Sequence, residues 1–317
     1  MPAFVSSSRP VLVLGATGTV GRPVVTALLA RGASVTALVR SAASARALPA
    51  GVQAVEGDLG DAALVQREVD RAGVVFLVNP HDPDEERYAE NVVRACERAQ
   101  VRLVYLGVHV HARWRWLRVL LRATLGLLLF PHYARRFRAG ERMLTARTKT
   151  QLVVASAFFQ NDAVFHEDIL EGRYTQPLGA RGVTQVDVRD IADAAATILL
   201  DPELPRGCFC VTGPEAMSGP RAAAIWARAL DRPVVYAGAD RGAWMRAIER
   251  HLDGHKREDF LKTYRSLALV SSKPSPSALA QTTALLGRPP RSYGEYVEDV
   301  VATMAREREV ASARTAA

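Results

Sequence analysis

The stretch VLVLGATGTVGRPVV, residues 11–25, constrains this chain more than any other. Four apolar residues run into Gly15, Gly18 and Gly21, and an apolar, helix-like segment comes at once after them. A chain that passes from strand to helix so abruptly must turn tightly, and glycine adopts backbone conformations that other residues avoid. The G-x-x-G-x-x-G spacing gives each glycine a task. Gly15 lets the chain leave the strand, Gly18 removes a side chain where backbone must approach a diphosphate, and Gly21 lets the helix pack closely on the strand. The first helical turn then offers unpaired N–H groups and the positive end of its dipole to the phosphates. The predicted cradle is therefore Gly15, Ala16, Thr17, Gly18, Thr19, Val20 and Gly21. The bland alternative is that the glycines serve the turn alone.

The pattern of the remaining chain favours the cradle. Short apolar runs recur at 11–14, 34–39, 52–55, 74–78, 101–106 and 151–156, separated by helix-like segments. Runs of this kind, rich in β-branched residues and nearly continuous, mark strands covered on both faces. Strand and helix in alternation predict an α/β fold with a doubly wound parallel sheet. In the segment 84–100, Val92, Cys96 and Ala99 fall on one helical stripe. The acidic HDPDEER, 81–87, suits a loop entering a helix N-terminus. After about residue 158 the rhythm loosens. A strand entering a helix at 184–202, a strand at 208–214, and a helix, turn and strand at 218–236 are expected, then mostly helix to about 304 and a frayed tail.

The end of the second strand sets the cofactor type. A carboxylate there would bind the adenosine 2′-hydroxyl and repel a 2′-phosphate. This chain instead has Arg40, Ser41, Ser44 and Arg46. The planar guanidinium of Arg40 suits a phosphate, so NADP(H) is favoured over NAD(H).

The net charge of +8 permits anionic partners. Its arginines are spread along the chain rather than gathered into a stripe, so no nucleic-acid partner is expected. Three cysteines, Cys96, Cys208 and Cys210, make no disulfide framework and fit a reducing compartment. No basic n-region followed by an apolar core opens the chain, and no apolar run reaches the roughly 20 residues that a bilayer requires, so a soluble, cytoplasmic protein is expected.

The motifs GATGTVGRPVVTALLARGASVTALVR (15–40), GDLGD (57–61), VVFLVNP (74–80), FFQN (158–161), VDVRDIADAAA (186–196), VTGPEAMS (211–218) and LGRPPRSYGEYVED (286–299) stand in this order. Together they resemble the NmrA-like, atypical short-chain dehydrogenase/reductase family over nearly the whole chain. The resemblance implies a Rossmann sheet of order 3-2-1-4-5-6 and a smaller, mixed C-terminal substrate lobe. It divides the chain into a dinucleotide-binding domain over 1–157, with an insertion at 109–131, and a substrate lobe over 158–317. Residues 185–213 would return to the sheet. It places Asp58 and Leu59 beside the adenine, and Val78, Asn79 and Pro80 along the cofactor's midsection. Gly107 falls at the end of the fifth strand, where relatives usually carry Ser, and Phe158, Phe159 and Asn161 approach the nicotinamide side.

The departures from that pattern bear on mechanism. Short-chain reductases carry Tyr-x-x-x-Lys, but no tyrosine here has a lysine four positions on; Tyr133 meets Phe137. His132, just before the helix YARRFRAGERML, is the candidate proton donor with Tyr133 beside it, against the bland reading of a capping or surface pair. His109 and His111 have no third partner, so no metal site is expected. The segment 111–131 is unusually apolar; on a helix Arg115, Arg118 and Arg122 share one side and Trp114, Leu117, Leu121 and Leu125 another. It is a lid over an apolar substrate, a dimer or core contact, or a peripheral membrane contact. Two functions remain open on these residues. One is an NADPH-dependent reductase acting on a carbonyl or conjugated double bond of an apolar aromatic or isoprenoid molecule; the other is a non-catalytic NADP(H)-binding redox sensor.

Overall fold

The structure, a computed structural model, describes residues 9–80, 82–107, 133–267 and 271–315. The chain forms two compact units. The first comprises Met1–Ala155, Val188–Val211 and Ala280–Arg288; the second comprises Ser156–Asp187, Thr212–Leu279 and Pro289–Ala317.

In the first unit the chain runs β1 (Val11–Leu14), α1 (Gly21–Ala30), β2 (Val35–Val39), α2 (Ala42–Arg46), β3 (Val52–Glu56), α3 (Ala62–Arg71), β4 (Val74–Val78), α4 (Glu85–Ala99) and β5 (Arg102–Gly107). A helix Ala134–Leu144 precedes β6 (Thr150–Ala155). The chain then enters the second unit through β7 (Ala157–Phe158), β8 (Arg173–Tyr174) and β9 (Val183–Val186). It returns by the helix Val188–Leu200 to β10 (Gly207–Val211). β11 (Ala216–Met217) and β12 (Val235–Tyr236) lie in the second unit again.

Seven strands form one sheet in the order β10-β6-β5-β4-β1-β2-β3, and every pairing in it is parallel. The order expected from the sequence is present, extended by β10 outside β6. Residues two apart share a face of a strand. Leu12 and Leu14, Val75 and Leu77, and Leu103 and Tyr105 all point into one core with Val65, Val69, Val92, Cys96 and Met143 from α3, α4 and the 134–144 helix. The alternate residues Val13, Phe76 and Val104 are equally buried, as a sheet covered on both faces requires. Return to this unit begins at Val188, because β9 pairs with β7 and β11 in the second unit. The segment 280–288 belongs here too: Arg288 donates to Asp190 (2.7 Å) and Asp193 (2.8 Å), and the Thr197 hydroxyl to the Leu285 carbonyl (3.0 Å).

α4 and the 134–144 helix are joined by an ion ladder. Arg138 pairs with Glu86, Arg142 Nε with Glu90 (2.7 Å), and the Arg142 fork with both Glu97 oxygens (3.1 and 3.0 Å). The Glu97 carboxyl is held at about 2, first by its Arg142 hydrogen bonds and then by the Arg147 N–H.

The second unit is small-sheeted and aromatic. A three-stranded sheet β11-β9-β7 and a two-stranded pair β12-β8 flank a core that includes Phe159, Phe165, Tyr174, Trp226, Trp244, Tyr264, Tyr293 and Tyr296. Inside it sits Asp162, fully buried. Tyr293 Oη donates to it, as do Tyr174 Oη (2.8 Å) and Trp226 Nε1 (3.1 Å). Burial raises the carboxyl to about 6, and these three donors only partly oppose the rise. The C-terminal stretch expected to fray is instead helical from Tyr293 to Thr315, as its Ala-, Arg- and Glu-rich composition favours.

A carboxyl raised from 3.8 to about 6 in the folded state stabilises it fully below pH 3.8 and loses that contribution as pH rises to about 6. Asp162→Asn, which stays neutral, should therefore gain stability relative to the parent protein between pH 4 and 7. The gain is on the order of 3 kcal/mol. Parallel thermal unfolding curves at both pH values check it; a difference independent of pH would refute it.

Candidate cofactor site

All strands of the large sheet are parallel, so the segments that come after β1, β2, β3, β4 and β5 emerge along one edge. The chain winds outward from β1 in one direction to β3 and in the other to β6, and the reversal between β1 and β4 opens a crevice at that edge.

The glycine loop lies at this crevice. Gly15 has φ +93°, and a Cβ there would come within 2.6 Å of the Val78 carbonyl oxygen. A Cβ on Gly21 would lie 2.0 Å from the Gly15 carbonyl oxygen. Both glycines are thus demanded by the protein's own backbone. Gly18 is different. Its φ lies outside the left-handed region, and the nearest atom to a Cβ would be 3.4 Å away. Among the described residues nothing but the Gly15 carbonyl oxygen comes near that position. Thr17, Gly18 and Thr19 are exposed, between buried Ala16 and Val20. Behind them α1 begins without a capping side chain and without an acid in its first turn. The neighbouring helices are served: Ser41 caps α2, Asp61 caps α3, and Glu85 and Glu86 stand in the first turn of α4. The start of α1 is left to receive an anion.

The surrounding residues are pinned from below. Arg40, at the end of β2, is exposed and makes no ion pair with the described residues. The Ser41 hydroxyl accepts the Ser44 amide (3.2 Å) and lies 3.1 Å from the Ser44 hydroxyl. The Asp58 carboxylate accepts the Gly60 amide (2.6 Å), while Asn91 Nδ2 donates to the Leu59 carbonyl (2.9 Å) and fixes the loop after β3. Val78, Asn79 and Pro80 are half-buried, and Asn79 Nδ2 donates to the Glu85 carbonyl (2.9 Å). Gly107 has a local reason: a Cβ would lie 2.2 Å from Tyr105 Cε1, so the buried Tyr105 ring takes the space a side chain would need. These residues, from Gly15 to Gly107, share one edge of one unit.

His132 lies outside the described residues, as do His109, His111 and the 111–131 segment. Tyr133 is half-buried at the start of the 134–144 helix. Phe137, at the position of the absent lysine, packs 6.4 Å from its ring. A cation is nevertheless present: the Arg136 guanidinium lies 4.9 Å over the Tyr133 ring. Sequence reasoning missed this residue and its partner Glu85, although the i,i+3 spacing of Tyr133 and Arg136 was a usable signal. Phe158, Phe159 and Asn161 belong to the second unit. Phe159 is buried against Tyr293 and Tyr296 (5.2 and 5.6 Å between ring centres), and Phe158 and Asn161 are half-buried. Among the described residues no group of three potential ligands could hold a metal, and no helix is long and apolar enough to cross a membrane.

Fold and loop together define a doubly wound dinucleotide-binding protein. Residues 15–202 match the NAD(P)H-binding family, and the chain belongs to it. It is 28% identical over 302 residues to an NAD(P)H azoreductase of Xenophilus azovorans, covering 91% of this chain and 96% of that one. The triphenylmethane reductase of a Citrobacter species, solved with NADP(H), superposes with a TM-score of 0.75 at 16% identity, over 92% of this chain and 99% of that one. NmrA, a negative transcriptional regulator solved with NADP, superposes with a TM-score of 0.69 at 17% identity, over 95% and 98% of the two chains. The likeness seen in the sequence motifs is therefore matched in the fold.

The three glycines should separate on mutation. Gly18→Ala should keep the parent melting temperature and lose NAD(P)H affinity by about tenfold or more, whereas Gly15→Ala and Gly21→Ala should lower the melting temperature as well. Calorimetric titration beside thermal unfolding reads both effects; unchanged affinity in Gly18→Ala would show that the loop does not approach a diphosphate.

Proposed function

We propose that this protein is an NADPH-dependent reductase that delivers hydride to a carbonyl or conjugated double bond of an apolar, aromatic or isoprenoid small molecule. The observation that carries the reading is the first turn of α1 behind the exposed Gly18, which has no capping side chain and no acid of its own. The relationship to an NAD(P)H azoreductase supports the reductive chemistry.

Bound NADPH would supply the hydride. The loop amides and the dipole of α1 would hold its diphosphate, Arg40 and Ser41 would take the 2′-phosphate, Asp58 and Leu59 the adenine, and Val78, Asn79 and Pro80 its midsection. Gly107 leaves the end of β5 without a side chain. Reduction would add one hydride and one proton to the acceptor, the proton coming from water, Tyr133 Oη or the His132 imidazole.

Two measurements test this. NADPH should bind more tightly than NADH, and Arg40→Ala should erase the difference, weakening NADPH by about tenfold to a hundredfold while sparing NADH; tighter NADH binding in the parent protein would overturn the preference. Loss of NADPH absorbance should be seen with members of a panel of quinones, quinolone-like ketones and azo dyes. Tight NADPH binding without turnover of any of them would replace the reductase by a redox sensor.

A further inference from the structure

At the edge of the sheet next to the cradle lies a charged cluster that the cofactor does not account for. Glu85, in the first turn of α4, is 2% exposed. Arg136 Nε lies 3.3 Å from one of its oxygens and Arg135 Nε 3.5 Å from the other. Arg136 is itself only 14% exposed. Its guanidinium faces two ways, to the Glu85 carboxylate and to the ring of Tyr133. The backbone carbonyl of Glu85 is held by Asn79, from the strand end that the proposed cofactor passes. Tyr105 completes the cluster from β5. Burial first and then the Glu85 carboxylate push its phenol up, with Arg136 and Asn79 opposing, and the ring is buried in the core rather than presented to a substrate.

A buried carboxylate with two guanidiniums is expensive to assemble for stability alone. The rest of the ladder between α4 and the 134–144 helix is more exposed, and Arg138–Glu86 and Arg142–Glu97 would already dock the two helices. Glu85 and Arg136 instead act on the first turn of the 134–144 helix, where Tyr133 sits. A guanidinium drawn to a buried carboxylate on one side and set over an aromatic face on the other biases the ring's direction as well as its position.

We propose that Glu85 and Arg136 are positioning residues: the Glu85 carboxylate holds the Arg136 guanidinium over Tyr133, and that cation, three residues on rather than four, aims the phenol in place of the missing lysine. The proposal rests on Tyr133 as proton donor. Tyr133→Phe tests that foundation separately.

The experiment compares Tyr133→Phe, Arg136→Met, Arg136→Lys, Glu85→Gln and the double variant Tyr133→Phe/Arg136→Met in the full chain. Steady-state rates use NADPH and whichever dye or quinone the parent protein reduces. Tyr133→Phe should lower kcat by about a hundredfold. Arg136→Met and Glu85→Gln should each lower kcat by about tenfold or more, since a small misplacement of a reacting group is costly. The calorimetric Kd for NADPH should stay within about twofold of the parent in all of them. Arg136→Lys should recover most of the rate, and the double variant should be no slower than Tyr133→Phe. In the protein without cofactor, the tyrosine band in near-ultraviolet circular dichroism should change in Arg136→Met and return in Arg136→Lys. If Tyr133→Phe retains the parent kcat, the donor assignment falls and this proposal with it. If Tyr133→Phe is slow but Arg136→Met is not, or if their losses multiply in the double variant, only the positioning role falls. Arg136→Lys, which keeps the charge in place, answers for Arg136→Met should that variant fail to fold: the proposal then requires the parent dichroism band and most of the parent kcat, and a rate as low as that of Tyr133→Phe overturns it.

Discussion

Backbone on bare backbone at the β1–α1 corner is the contact from which the first unit is built. Gly15 meets the main chain of Val78, and Gly21 meets that of Gly15, at distances no side chain would tolerate. β1 and β4 are paired neighbours in the parallel sheet, and the winding direction reverses between them. The crevice, the exposed loop from Thr17 to Thr19 and the open start of α1 all depend on that approach. A larger residue at Gly15 would push on Val78, and one at Gly21 would push α1 off the main chain of Gly15.

The second organising device is electrostatic, and it is graded. Along α4 the acids Glu85, Glu86, Glu90 and Glu97 meet Arg135, Arg136, Arg138 and Arg142 of the facing helix. Exposed pairs of this kind contribute at most about 1 kcal/mol each. Their worth lies in register: four acids and four guanidiniums on two helix faces match in one alignment, so the ladder sets where the 134–144 helix begins. Burial is deepest at Glu85, where position has the greatest chemical consequence. The basic charge read from composition is thus partly spent inside the protein.

Much of the first unit was legible in the chain. Its apolar runs are short, β-branched and buried on both faces, a pattern that few other architectures allow, and its glycines sit where one loop type needs them. What escaped notice came from contacts distant in sequence. Nothing local marks Glu85 as buried, since an acid in a first helical turn is ordinarily solvated; its partners Arg135 and Arg136 lie some fifty residues on. Nothing local marks Asn91 either, whose amide reaches the Leu59 carbonyl 32 positions away. The second unit was harder still, because its strands are only two to four residues long and its order comes from aromatic packing around Asp162 rather than from periodicity. The C-terminal tail was misjudged for the opposite reason: its residues lack a buried stripe, yet helix-favouring composition suffices to carry the helix to Thr315.

The fit between Gly107 and Tyr105 couples two positions that lie on the same face of β5. A hydroxyl-bearing residue cannot enter at 107 while a tyrosine fills 105, and shrinking 105 first would hollow out a core shared with α4. Neither single replacement is neutral: a side chain at 107 requires the Tyr105 ring to move, and a smaller residue at 105 leaves a void beneath β5.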